Sequence, residues 1–178
     1  MSHGQRILIV DDDPLVGESL AEFCAREGLA PEVAPSAEEA IRLLREGDAA
    51  GSAFAIAICD LSLPGMDGLE LAREIAKSHT RTAPIILTGY GTIESAVEAI
   101  RRGAFDYLSK PIVDTELRLV LERALRQQTL LEENTTLKKQ LGERFALGTI
   151  IGGDYRMVKA FEIIDAAAQS KATFLMTG

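Results

Sequence analysis

The stretches RILIVDDDP at residues 6–14, AIAICD at 55–60 and FDYLSKP at 105–111 share one pattern, a short apolar run that ends in charge. Asp11 and Asp12 close the first run, Asp60 the second, and Lys110-Pro111 follow the third. In an open parallel sheet the carboxyl ends of neighbouring strands meet at a crevice, so side chains distant in sequence converge there. Carboxylates gathered so closely repel unless a cation sits among them. Mg2+ suits such a place, because it takes oxygen ligands and needs few protein groups. The plainer reading, that each Asp caps the next helix, suits Asp13 ahead of Pro14 but not the spacing of all four charged positions.

Working outward, β-branched or aliphatic runs alternate with stretches of helical period, the pattern of repeated βα units. Five units are predicted. A strand at 6–10 leads to a helix at 14–26, whose Leu15, Leu20, Phe23 and Cys24 form an apolar stripe. A strand at 31–34 precedes a helix begun by Ser36 and Glu39, spaced as a capping box, with Ile41, Leu43 and Leu44 on its buried side. Residues 47–52 read as a loop, and the almost wholly apolar 53–59 as a central strand covered on both faces. Pro64-Gly65 marks a turn before a helix at 68–77. Strand 84–87 ends in Thr88-Gly89, helix 93–102 stops at Gly103, and strand 105–108 ends in Ser109-Lys110-Pro111. A fifth helix starts near Asp114 and meets no stop signal until Gly142.

Composition narrows the function classes. At 178 residues the chain holds one full domain plus appendages. A net charge of −8 disfavours unspecific nucleic-acid binding, which needs clustered Lys and Arg. Cys24 and Cys59 lie in apolar stretches without metal-ligand spacing and read as buried thiols in a reducing compartment. No long apolar span and no signal-peptide core occur, so a cytoplasmic protein with no membrane contact is expected.

From about Gln5 to Arg126 the chain resembles the receiver domain of two-component response regulators: acidic pair, acceptor Asp, Thr, Tyr and Lys-Pro occur in the family's order. The resemblance implies an α/β, flavodoxin-like (βα)5 fold with a five-stranded parallel sheet in the order 2-1-3-4-5. It further implies that Asp60 accepts a phosphoryl group from a histidine kinase. Mg2+ would be held by Asp11, Asp12, Asp60 and the backbone carbonyl of Ser62. Lys110 would pair with a phosphoryl oxygen next to a cis bond at Pro111. Thr88, Gly89 and Tyr107 would form the switch, Tyr107 following Thr88 so as to reshape the face built by the fourth helix, fifth strand and fifth helix. Beyond phosphate acceptance and its loss, no enzymatic activity is expected.

Past the receiver (5–126), residues 127–146 read as a helical linker in which Leu130, Asn134, Leu137 and Leu141 follow the spacing of a coiled-coil seam. Asn134 would fix the register of two strands in a homodimer. From about Leu147 to Gly178 the chain resembles the opening of the AAA+ ATPase domain of sigma-54-dependent activators. A strand ending in Thr177-Gly178 would expose an unpaired edge, so a fragment cut just before the nucleotide site is expected. ATPase motifs, sigma-54 polymerase contact and DNA binding would belong to absent parts of the parent protein. Two rival readings remain: a haloacid-dehalogenase-like phosphatase with Asp11 as nucleophile, and a receiver-shaped scaffold that takes no phosphate.

Overall fold

A computed structural model describes residues 4–89 and 92–145, apart from the side chains of Ile93 and of residues 139–145. Five strands, β1 (Arg6–Val10), β2 (Ala30–Ala34), β3 (Ile56–Asp60), β4 (Ala83–Thr88) and β5 (Asp106–Ser109), form one sheet. All neighbouring pairs are parallel and the order is β2-β1-β3-β4-β5. Five helices alternate with them: α1 (Pro14–Arg26), α2 (Ala37–Ala49), α3 (Gly68–Ser78), α4 (Ile93–Arg101) and α5 (Asp114–Phe145).

Alternation within each strand builds two cores. Ile7, Ile9, Ile56, Ile58, Ile85 and Leu87 face one side and pack with Leu20, Phe23 and Cys24 of α1 and Leu117, Leu121 and Ala124 of α5. Leu8, Val10, Ala57, Cys59 and Ile86 face the other and meet Ala40 and Leu44 of α2, Leu71 and Ile75 of α3, and Ala99 of α4. Successive side chains on a strand point to opposite faces, so a strand covered on both is apolar throughout. β3 and β4 are buried at every residue, whereas β2 at the sheet edge is exposed at Ala30 and Val33. Both cysteines lie in these cores as free thiols. Desolvation, aided by Glu27, pushes Cys24 up to about 12, and complete burial with Asp60 alongside pushes Cys59 higher still.

Several boundaries differ from the expected ones. Residues 47–49 continue α2 instead of opening a loop, because Gly47 leaves room where the helix end meets the Ser52 carbonyl, Arg6 and Phe54. The capping box at Ser36 is half formed. Ser36 Oγ accepts from the Glu39 N–H at 3.3 Å, but the Glu39 carboxylate pairs with Arg42 at 2.6 Å instead of reaching back. A complete box occurs at Thr92 and Ser95. The central strand begins at Ile56 and includes Asp60, and α5 runs through Gly142 to Phe145. A lone glycine costs a helix only about 1 kcal/mol relative to alanine, too little to end it.

A compact unit extends to Glu133, and Asn134 onward is assigned to a second unit. The AAA+-like stretch at 147–178 lies outside the described residues, as does the side chain of Leu141. Among the described residues, no helix is long and apolar enough to cross a membrane.

Candidate functional site

The site forms where parallel strands end together. Asp11 prolongs β1, its N–H donating to the Ala34 carbonyl of β2 at 3.2 Å. Asp60 is the last residue of β3, in register with Leu87 of β4. Lys110 follows β5 and its N–H donates to the Thr88 carbonyl at 2.7 Å. Residues 11, 60, 88 and 110 are thus carried to one rim by the ladder itself.

Two carboxylates share one ammonium there. Lys110 Nζ lies 2.6 Å from Asp60 Oδ1 and 3.0 Å from Asp11 Oδ2. The second oxygen of each acid accepts from the main chain, Asp60 Oδ2 from the Ser62 N–H at 2.8 Å and Asp11 Oδ1 from the Asp13 N–H at 2.9 Å. Asp11 is 3% and Asp60 6% exposed, a depth at which an uncompensated charge is costly. Burial opposes the Lys110 charge, yet hydrogen bonds and attraction from Asp60 and Asp11 outweigh it and hold the ammonium above the usual lysine pKa.

Other expected residues take different positions. Asp12 is exposed, outside the ion cluster. Asp13 caps α1, accepting from the Leu15 N–H at 2.9 Å. Thr88 is buried at the end of β4, opposite Ser109. Tyr107 is half-buried and packs against the α2–α3–α4 side of the core. Gly89 is exposed. The Lys110–Pro111 bond is cis.

Metal fit follows from the donor set. Among the described residues no three His, Cys, Asp or Glu side chains are gathered to hold an ion alone. Asp11 and Asp60 offer two close oxygen donors, balanced by a positive charge at the same place. That arrangement suits Mg2+, which is bound through one or two carboxylates and keeps several waters.

Two features of the loop 61–67 were not read from the sequence. Gly68 is more than a helix start: a Cβ there would sit 2.9 Å from the Asp60 carbonyl carbon and from Leu61 Cα, and closer still to the Asp60 carbonyl oxygen. Its N–H donates to the Leu61 carbonyl at 3.1 Å and closes the loop at its base. Glu38, adjacent to the residue given the capping role, reaches the far end of the same loop. Neither has a periodic or motif signal, since both depend on contacts between distant segments.

Comparison with known proteins agrees with this geometry. The family model for the response regulator receiver domain matches residues 7–122. The regulatory protein AtoC of Escherichia coli is 33% identical over 173 residues, covering 97% of this chain and 36% of that protein. The C4-dicarboxylate transport transcriptional regulatory protein DctD of Pseudomonas aeruginosa is 32% identical over 174 residues, 97% of this chain and 37% of its own length. Among solved structures, NtrX from Brucella abortus in complex with ADP superposes with a TM-score of 0.68 at 32% identity, covering 94% of this chain and 36% of that one. The isolated receiver domain of Brucella abortus NtrX gives 0.61 at 37% identity, covering 67% of this chain and 98% of that one. The chain spans about a third of the length of the curated relatives it matches. With the sheet order, the rim of Asp11, Asp60 and Lys110 and the family match over residues 7–122 in agreement, the chain belongs to the response regulator receiver domain family.

Proposed function

We propose that Asp60 accepts a phosphoryl group from a histidine kinase and that its modification switches the receiver and the helix that follows. The observation that carries this reading is the ion cluster, in which Lys110 bridges Asp60 and Asp11. An Asp60 oxygen forms the bond to phosphorus while the donor's bond to phosphorus, P–N in a phosphohistidine or P–O in acetyl phosphate, breaks. The leaving group keeps the electron pair and takes up a proton. Mg2+, held by Asp11, Asp12, Asp60 and the Ser62 carbonyl, would supply neutralisation of the phosphoryl oxygens.

The residues of the chain account for the rest. Lys110 can exchange one carboxylate oxygen for a phosphoryl oxygen, keeping its charge paired. Asp11, freed of part of that pairing, remains fixed by the Asp13 N–H. Thr88 ends the strand whose carbonyl anchors Lys110, so a hydroxyl drawn toward the phosphoryl group acts next to the sensing residue. Tyr107, half-buried on β5, follows into the space so released, and the face of α4, β5 and α5 changes. On this reading the chain is a phosphate acceptor that can lose the group again to water.

The switched output would be a dimerising linker at 127–146 that controls a sigma-54-dependent activator, with the ATPase from 147 onward and DNA binding supplied by the parent protein. Exposure supports the coil: Leu130 is 57% and Leu137 58% exposed, with Asn134 exposed between them.

Intact mass after incubation with acetyl phosphate and Mg2+ tests the acceptor role. A phosphoryl adduct is expected in wild type and absent in Asp60→Asn. An adduct that survives Asp60→Asn and vanishes in Asp11→Asn would move the nucleophile to β1 and favour phosphatase chemistry. No adduct in any form would leave only a scaffold.

A further inference from the structure

The apolar stripe that seats α5 on the sheet ends in a polar residue. Leu117, Leu121, Ala124 and Gln128 recur at helical spacing on the buried face, where the period alone would put another aliphatic side chain at 128. Gln128 is only 5% exposed, and every residue from Leu130 to Lys138 is exposed. Among the described residues, Gln128 is therefore the last buried side chain of α5. Its carboxamide faces the loop between α3 and β4. One end lies 3.2 Å from the Arg81 carbonyl oxygen and the other 3.3 Å from the Ala83 nitrogen, so the amide has one complementary orientation: its NH2 donates to Arg81 and its carbonyl accepts from Ala83. The Ala83 N–H also donates to the Ala55 carbonyl at 2.9 Å, which leaves the Arg81 bond as the main link.

That loop is itself fixed. The Arg81 guanidinium pairs with Asp48 at 2.9 Å, the buried Thr82 hydroxyl donates to the Phe54 carbonyl at 2.8 Å, and the Thr82 N–H donates to the His79 carbonyl at 2.8 Å. Packing does not take over past Gln128. A cavity of about 410 Å3 opens beside Thr80, Pro84, Phe105 and Leu131, and Leu131 stays 47% exposed at its edge.

We propose that Gln128 is the anchor that sets where, and at what rotation, α5 leaves the receiver, by binding the helix to the segment that opens β4. Apolar burial is non-directional and tolerates a helix that rolls or slides, whereas a buried amide is satisfied in one setting only. A roll that took Gln128 off Arg81 would leave a buried donor and a buried carbonyl unpaired. β4 begins at Ala83 and ends at Thr88, so the anchor also ties the outgoing helix to the strand that reaches the Asp60 rim. Its consequence for a coil at 127–146 rests on the linker reading above; the anchor itself does not.

Spin labels at Glu132→Cys on α5 and Lys77→Cys on α3, both exposed positions, read the exit directly, because Cys24 and Cys59 are buried and take no label. In the full chain, diluted with unlabelled protein so that only distances within one chain count, the wild-type distance distribution should be single and narrow. Gln128→Met keeps a similar volume without the amide. It should broaden the distribution about twofold and lower amide protection over residues 129–133 about tenfold, the loss expected of one net hydrogen bond. Gln128→Glu adds a readout that packing alone would not give. Ionised, it can only accept, and it should behave no better than Gln128→Met. Protonated, its hydroxyl can donate to Arg81, so lowering the pH from about 8 to about 5 should restore the narrow distribution, burial favouring the neutral acid. Asp48, His79 and Arg81 belong to the same corner in every variant, so wild type at the same pH is the reference.

A Gln128→Met variant with wild-type distances and protection would overturn the anchor, as would a Gln128→Glu variant whose distances follow pH no more than those of wild type. Wild type that stays monomeric in light scattering at high concentration would sink the coil reading instead, while the distance comparison would still decide whether Gln128 holds the helix.

Discussion

Replacing Gly68 by alanine should strike the acceptor strand through the backbone. The added Cβ would stand 2.9 Å from the Asp60 carbonyl carbon and from Leu61 Cα, and nearer to the Asp60 carbonyl oxygen. Carbon pairs prefer about 3.5–4.0 Å, so relief of the two carbon contacts alone demands a shift of roughly 0.6–1.1 Å, and the nearer carbonyl oxygen puts the need at the upper end or beyond. No flexible side chain can supply it. Either the Asp60–Leu61 peptide or the first turn of α3 must move, stretching the Gly68-to-Leu61 hydrogen bond of 3.1 Å. Overpacking costs about 1–3 kcal/mol, and contact with main chain alone points to the upper end. Alanine returns at most about 1 kcal/mol through helix propensity, leaving a net loss of about 2 kcal/mol.

Urea unfolding reads this directly. With a slope of about 1–3 kcal/mol per M, the midpoint should fall by roughly 1 M. Gly17→Ala is the control, since its Cβ would meet only the Val33 Cγ1 methyl at 3.0 Å and that side chain can yield. In a helix interior the alanine gain largely offsets such a contact, so the midpoint should move by less than about 0.4 M. A Gly68→Ala midpoint within about 0.2 M of wild type, or equal to that of Gly17→Ala, would refute the argument from main-chain contact.

Two further predictions concern charge and assembly. Burial pulls the Asp48 carboxyl upward, but hydrogen bonds and charges from His79 at 2.5 Å and Arg81 at 2.9 Å outweigh it and hold its pKa below the ordinary value. A depressed folded-state pKa gives stability that is present above the unfolded value of about 3.9 and is lost as pH falls through the folded one. Asp48→Asn should therefore cost about 1 kcal/mol at pH 7, with the gap closing below about pH 3.9; a gap that stays constant through that range in urea titrations would contradict it. Replacing both Leu130 and Leu137 by Lys should weaken self-association at least about a hundredfold, because each buried leucine contributes about 1.5–3 kcal/mol. Light scattering that finds the same mass for wild type and variant at high concentration would remove the coiled-coil reading.

Much of the fold is legible because its causes are local. β1 and α1 have the bounds expected for them, set by an apolar run, the Asp13 cap and Pro14. Apolar runs at β3 and β4 announce strands covered on two faces, and that implies crossover helices and a parallel sheet. Errors gather where a local signal competes with a distant contact. Gly47 looks like a breaker but serves the packing of Arg6 and Phe54 against the end of α2, and Glu39 looks like a cap partner but is captured by Arg42. At the site, Asp11, Asp60 and Lys110 could be grouped in advance because strand ends must meet. The exposure of Asp12 beside the buried Asp11 was not legible in the same way, since it is set by the packing around the strand end.

By itself, then, the sequence determined the alternation of strands and helices, the order of the sheet through its family resemblance, and the set of charged residues at one rim. Tertiary structure decided which of those charges touch, with Lys110 between two buried carboxylates and Asp12 left outside. It also revealed the His79–Asp48–Arg81 group, the Gly68 contact with Asp60 and the reach of Glu38 to Gly65. The physical reason is range. Hydrophobic period, caps and turns act within a few residues and are written in order along the chain, whereas hydrogen bonds, ion pairs and steric contacts act over a few ångströms between segments that only folding brings together.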